Sequence, residues 1–366
     1  MISVLLNKIL IKYKIIYAAL FLLVVFCVYL SCKGNYSISV KGVEKKYEET
    51  FDSLFAGYEG KWTAQKEARL EQMTDKQDAL DEQFSQLSYD LLNKKITAHP
   101  AAKAVKNVNQ FVREHKELGT EYDACYKELL SKVDYVQENP DKRYLMKTDG
   151  WWYYFTDDTL YYVNLVFIVI LCMLVFVGET QTGILEIHRF SKVGEKKFFL
   201  LQWGTVVVVA EVFFLITQAL KFLIYYVRYG ISGMSYPIQS IPVFEHCGWN
   251  LSIGVYMALC VGFYMISVLC LCGLAFLLVM ILRKGLESVF TIFLLIILPP
   301  MCLSEKILCF VPNMYSLMFP ANILRGYENN WSFLSLKQLL LYGVVSLVAG
   351  AAMAVYAGRK GGRFEG

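Results

Sequence analysis

The chain reads as an all-α integral membrane protein with six transmembrane helices and a helical domain outside the membrane between the first and second. Three observations predict it. Hydrophobic residues fill 56% of the 366 positions and mean hydropathy is +0.41, above what a soluble domain carries. The excess is gathered into runs approaching the roughly 20 residues that a bilayer core requires. One long stretch, 33–157, breaks from those runs with dense charges of both signs.

Residues 1–14 mix Ile2, Val4, Leu5, Leu6, Ile9 and Leu10 with Lys8, Lys12 and Lys14, the composition of a helix lying in the interface. The apolar run 15–32 is the first span. Basic residues before it place the N-terminus in the cytoplasm. A lipoprotein anchor at Cys32 competes with this reading, since Leu30-Ser31-Cys32 resembles a lipobox. Tyr29 suits that motif poorly, and the apolar run is long for a signal peptide, so the span is preferred.

Residues 33–157 form the extracytoplasmic helical domain. In the stretch 62–92, Leu70, Met73, Leu80, Phe84, Leu87 and Leu91 recur at three- and four-residue steps, with Gln77 in one slot. That spacing predicts a long amphipathic helix. A contact within the chain is preferred over an intermolecular coiled coil, because Gln77 interrupts the heptads. Pro100 opens a second helix through Val105, Val108, Phe111 and Val112. A third carries Tyr122, Cys125, Leu129, Val133 and Val136 and closes at Pro140. The aromatic cluster Trp151, Trp152, Tyr153, Tyr154 and Phe155 precedes the next apolar run and reads as an interfacial belt, with a substrate-binding lip as the alternative.

The second span is 159–177, and the charged, amphipathic loop 179–197 follows it. A helix there lays Ile184, Leu185, Ile187 and Phe190 on one side and leaves Glu186, His188, Arg189 and Lys192 in water. The third span, 198–226, carries Gly204, Glu211 and Gln218 at seven-residue spacing, with Lys221 one turn on. Glu211 and Gln218 therefore share a face. An ionisable group in mid-span faces protein or water rather than lipid, so this polar face is expected to line a packed or hydrated seam near a subunit interface. A carboxyl that merely pairs within the bundle is the plainer reading.

The fourth span, 250–282, has Gly254, Ala258 and Gly262 at the spacing that lets helix backbones approach. The fifth starts at Ser288 and meets Pro299-Pro300, which kink or end it. The segment 304–325 is apolar but broken by Pro312 and Pro320, and reads as re-entrant. The sixth span, 334–358, has Ser346, Gly350, Ala354 and Gly358 on one small-residue face. Lys and Arg gather at the N-terminus, at 189–197, at 283–284 and at 359–363, the inside pattern for six spans with both termini cytoplasmic.

The ten cysteines suggest no disulfide framework, since most lie in or beside apolar runs. Gly178 and Gly183 have P-loop spacing, but Ile184-Leu185 stands where Lys and Ser or Thr are required. The four histidines are scattered. No catalytic, cofactor-binding or metal residue emerges, and no nucleic-acid partner is expected.

The loop and the layout together resemble the ABC-2 family of transporter permeases. In that family the loop after the second span opens with Glu, carries Gly four residues on, and docks a short helix onto a separate ATPase; Glu179, Gly183 and Leu185 match. The family often has a Lys as the next span begins, whereas here Lys196 and Lys197 come slightly early and Gln202 sits near the expected place. The resemblance implies a six-helix ABC-2 fold divided into 1–32 (interfacial helix and first span), 33–157 (the inserted domain) and 158–366 (the five-span permease domain). It further implies a coupling surface of Glu179, Gly183, Leu185, Ile187, Arg189 and Phe190. The expected function is the permease subunit of an ATP-binding cassette exporter for a lipid, peptide or hydrophobic compound. Its partners would be an ABC ATPase subunit, a second copy or related permease as homodimer or heterodimer, and membrane lipid, in the cell membrane. The alternative is a non-transporting sensor or envelope-assembly protein whose outer helical domain binds a ligand.

Overall fold

The structure, a computed structural model, describes residues 7, 10–11, 14–33, 49–93, 120–177, 195–282, 285–298, 302, 317 and 336–361. The loop residues Glu179, Gly183, Leu185, Ile187, Arg189 and Phe190 lie outside them, as do the helix expected after Pro100, most of 1–14, and 304–325 apart from Leu317. The helices are α1 (Ile15–Lys33), α2 (Ala64–Asn93), α3 (Thr120–Gln137), α4 (Asp149–Thr156), α5 (Thr159–Cys172), α6 (Glu195–Tyr229), α7 (Ile253–Leu282), α8 (Gly285–Ile292) and α9 (Leu336–Gly361). Two π-helical segments, Met173–Val177 and Phe293–Ile297, continue α5 and α8. Among the described residues strand pairing is limited to isolated bridges.

Four helical stretches are long and apolar enough to cross a membrane: Asp149–Val177, Lys197–Tyr229, Ile253–Leu282 and Leu340–Ala357. Within α1, Ile15–Ser31 is a shorter apolar helix. The chain is a mostly helical membrane protein. It divides into two compact units, residues 37–146 and residues 1–36 with 147–366. The boundary drawn from composition at 157 and this one differ by the short aromatic helix α4.

The 37–146 unit has its own core. Leu70 and Met73 of α2 pack with Cys125, Leu129, Val133 and Val136 of α3 and with Phe51, Phe55, Tyr58 and Trp62. The seam read along α2 is thus used inside the chain at these positions, and Gln77, which interrupts it, is itself buried. Thr74 Oγ1 and Tyr126 OH are 2.6 Å apart across the two helices. Gly60 and Leu145 exchange backbone hydrogen bonds of 2.8 and 2.9 Å. Gly60 does so at φ 100, where a side chain would be strained.

In the other unit α6 is the hub and packs against α1, α4, α5, α7 and α9. The segment 230–252 folds back between α6 and α7. Ile238, Ile241 and Phe244 are fully buried there, Gln239 Nε2 donates to the carbonyls of Cys247 and Trp249 at 2.8 and 2.9 Å, and Trp151 Nε1 donates to Ser232 O at 2.7 Å. Burial raises the Cys247 thiol above its ordinary pKa, opposed by a hydrogen bond from the Trp249 backbone.

The close helix approach of this unit is between α7 and α9. A Cβ on Gly273 would stand 2.7 Å from Gly350 O, and one on Gly350 would stand 3.0 Å from Cys270 Cα. The Cys270 thiol donates to Ser346 O, and Ala354 is fully buried. The small-residue face expected on the last span is therefore a packing face. The stripe expected on α7 is not one among the described residues: Ala258 is exposed and a Cβ on Gly262 would meet none of them within 4 Å. Spacing alone marks where backbones are able to meet, and α9 meets α7 further along, at Gly273.

Candidate functional site

The polar side chains of α6 supply the candidate site. At the end of α6 nearest α4 they form a dense buried network. Asp157 ends α4, and its Oδ1 accepts from the Thr159 backbone N–H at 3.1 Å and from Thr159 Oγ1 at 2.6 Å, which caps the start of α5. Its Oδ2 accepts from Tyr225 OH at 2.8 Å. Lys221 Nζ donates to the Asp157 backbone carbonyl at 2.6 Å and sits 4.8 and 5.9 Å from the ring centroids of Tyr154 and Tyr161. Both Asp157 and Lys221 are buried. A carboxylate and an ammonium withdrawn from water are sustainable only with such partners.

One turn further along α6, Gln218 Nε2 donates to Tyr154 OH. Beside it, Asn164 of α5 donates to Leu160 O at 2.7 Å and to Thr217 Oγ1 at 2.9 Å; Thr217 in turn donates to Phe214 O at 2.8 Å. Asn164 Oδ1 is buried with no hydrogen-bond partner.

Glu211 lies near the middle of α6. Its residue as a whole is half-buried, but Oε2 is wholly buried and accepts no hydrogen bond. Facing it from α7 is Tyr264, fully buried, its ring stacked on Phe214 at 4.1 Å and its hydroxyl also without a partner. Tyr264 and Cys272 of α7 are within electrostatic reach of Glu211, and Cys272 is hydrogen-bonded to Cys172 of α5. Nearest the loop, Gln202 Nε2 donates at 3.2 Å to Val175 O, inside the π segment that ends α5.

Of the residues singled out from sequence, Glu211 and Gln218 are thus brought to the margin of the α6 bundle face. The two do not touch a common partner: Gln218 belongs to the Tyr154 side and Glu211 to the Tyr264 side. Gly204, on the same face, stands open. The aromatic cluster splits: Trp151, Tyr154 and Phe155 are core, while Trp152 and Tyr153 are exposed. Sequence reasoning missed Asn164 and the Asp157–Tyr225 bond. The signal for Asn164 was visible as a lone amide inside TLYYVNLVFIVILC, whereas nothing in the spacing announces that Asp157 and Tyr225 meet.

Among the described residues no group of three His, Cys, Asp or Glu side chains could hold a metal ion. No protein-family model, no curated protein and no solved structure matches this chain.

Proposed function

We propose that the chain is the permease subunit of an ABC-2-type exporter with six spans, residues 33–157 outside and both termini cytoplasmic. A separate ATPase energises it through the loop 179–197. The cargo class is a lipid, peptide or hydrophobic compound. The observation that carries the reading is the row of polar side chains along α6, the hub of that unit: Lys221 is buried on the Asp157 carbonyl, Gln218 is bonded to Tyr154, and Glu211 is half-buried with Oε2 fully enclosed. Intramembrane polar groups are costly and concentrate along substrate and ion pathways. Chain order adds support, since an outer helical unit follows the first apolar helix and the loop joins two of the helices that pack together.

The test is the double variant Leu185→Asp with Phe190→Asp, expressed with the candidate ATPase. A few anchor residues usually carry most of an interface's energy, so the variant is expected to insert normally yet lose most of the copurifying ATPase. Retention of an active ATPase at the wild-type level would refute the docking role. A wild-type chain that brings down no ATPase at all would favour the sensor or assembly reading.

A further inference from the structure

We infer that Glu211 is an intramembrane proton-binding site, whose carboxyl is neutral while α6 and α7 are packed together and gives up its proton when they part. The inference stands whichever partner the loop engages.

A carboxylate oxygen needs donors or a cation, and more so where water is excluded. Glu211 Oε2 is wholly buried and has neither. Among the described residues no ammonium or guanidinium acts on it. The nearest cation on the same helix, Lys221, is ten positions on and committed to Asp157 O. The titratable groups that face Glu211 are Tyr264 and Cys272 of α7, with Cys172 of α5 behind Cys272. Among the described residues of α1, α4 and α9 none acts on it. Tyr264 is fully buried and its hydroxyl is also unpartnered, so this side of the site holds a second oxygen and no charge. A proton is the smallest ligand that removes the charge cost, and it needs no cavity.

The position of the carboxyl makes that proton conditional. Val208, Val212 and Leu215 of α6 are exposed, and Val206, Ala210 and Phe214 are buried. Glu211 lies at the border of the two faces, so a small separation of α6 from Tyr264 of α7 lets water reach it. The carboxyl O–H bond then breaks, the proton passes to that water, and the electron pair stays on the carboxylate. Re-packing requires the reverse. Low pH therefore favours the packed arrangement and high pH the parted one.

The experiment is pH-difference infrared spectroscopy on the full chain in lipid nanodiscs. The expected result is the carbonyl stretch of a protonated carboxylic acid at neutral pH, lost in Glu211→Gln and shifted in frequency in Glu211→Asp. The Asp variant decides the matter if the Gln variant fails to assemble. A wild-type spectrum lacking that band at neutral pH overturns the proposal. The coupling is read from Cys272 alkylation by a membrane-permeant maleimide, followed by peptide mass spectrometry. Thiol ionisation speeds the reaction with pH in every variant. The wild type is expected to gain several-fold more than Glu211→Gln, and equal pH dependence overturns the link to helix separation.

Discussion

Gln202 shows how one amide serves two helices. A π turn leaves its carbonyls poorly served by the helix itself, and Gln202 supplies Val175 O with a donor from the next helix. Gln202 is buried, so removing it leaves a carbonyl without its partner in an apolar setting. Gln202→Leu is expected to cost about 1–3 kcal/mol, read as a lower midpoint of thermal unfolding in detergent; an unchanged midpoint would show that the bond contributes nothing. The family resemblance drew attention to this position only because a Lys was expected near it. The amide's role is visible once the π segment is, and π geometry has no signature in an apolar run such as MLVFV. Glu211 was legible for the opposite reason, as an ionisable group alone in a span.

At the scale of elements, the pairing of α7 with α9 depends on two glycines whose backbones nearly touch. A Cβ at Gly350 meets Leu269 Cδ2 at 2.7 Å and backbone atoms of Cys270 at 3.0 and 3.2 Å. A flexible leucine end can move, but a helix backbone cannot without opening the whole interface. Gly350→Leu should therefore destabilise by about 1–3 kcal/mol, as overpacking does, while Gly262→Leu, facing open space, should be nearly neutral. Comparing the two thermal midpoints checks this, and equal losses would contradict the packing. The four membrane-length helices were readable, because long apolar runs admit few alternatives. Which small residues touch was not: Gly254, Ala258 and Gly262 have the same spacing as Ser346, Gly350 and Ala354, and only the second set meets a neighbouring helix.

For the molecule as a whole, the proposed topology sets the 37–146 unit and the loop 179–197 on opposite sides of the membrane. Native Cys125 is a poor reporter of this, since it is fully buried in the core of its unit. Exposed positions serve better, such as Glu71 and Asp81 on α2. On intact cells, a cysteine introduced at Glu71 should react with an impermeant maleimide and one at Lys192 should not. The reverse pattern would invert the assignment. The charge break near Lys33 falls close to the start of the 37–146 unit, whereas the far limit was placed after α4 because aromatic residues before a span look alike whether they line an interface or fill a core.

The two π segments bear on how such a molecule yields to load. Met173–Val177 packs against α8, and Phe293–Ile297 packs against α5, so each loosely wound turn has the other helix beside it. In the proposed coupling, a torque from the loop that follows Val177 in sequence would reach Met173–Val177 before any other part of the described bundle. On that reading a twist would be taken up as rewinding of the π segments before it reached the hydrogen-bonded cluster of Asp157, Lys221 and Tyr225.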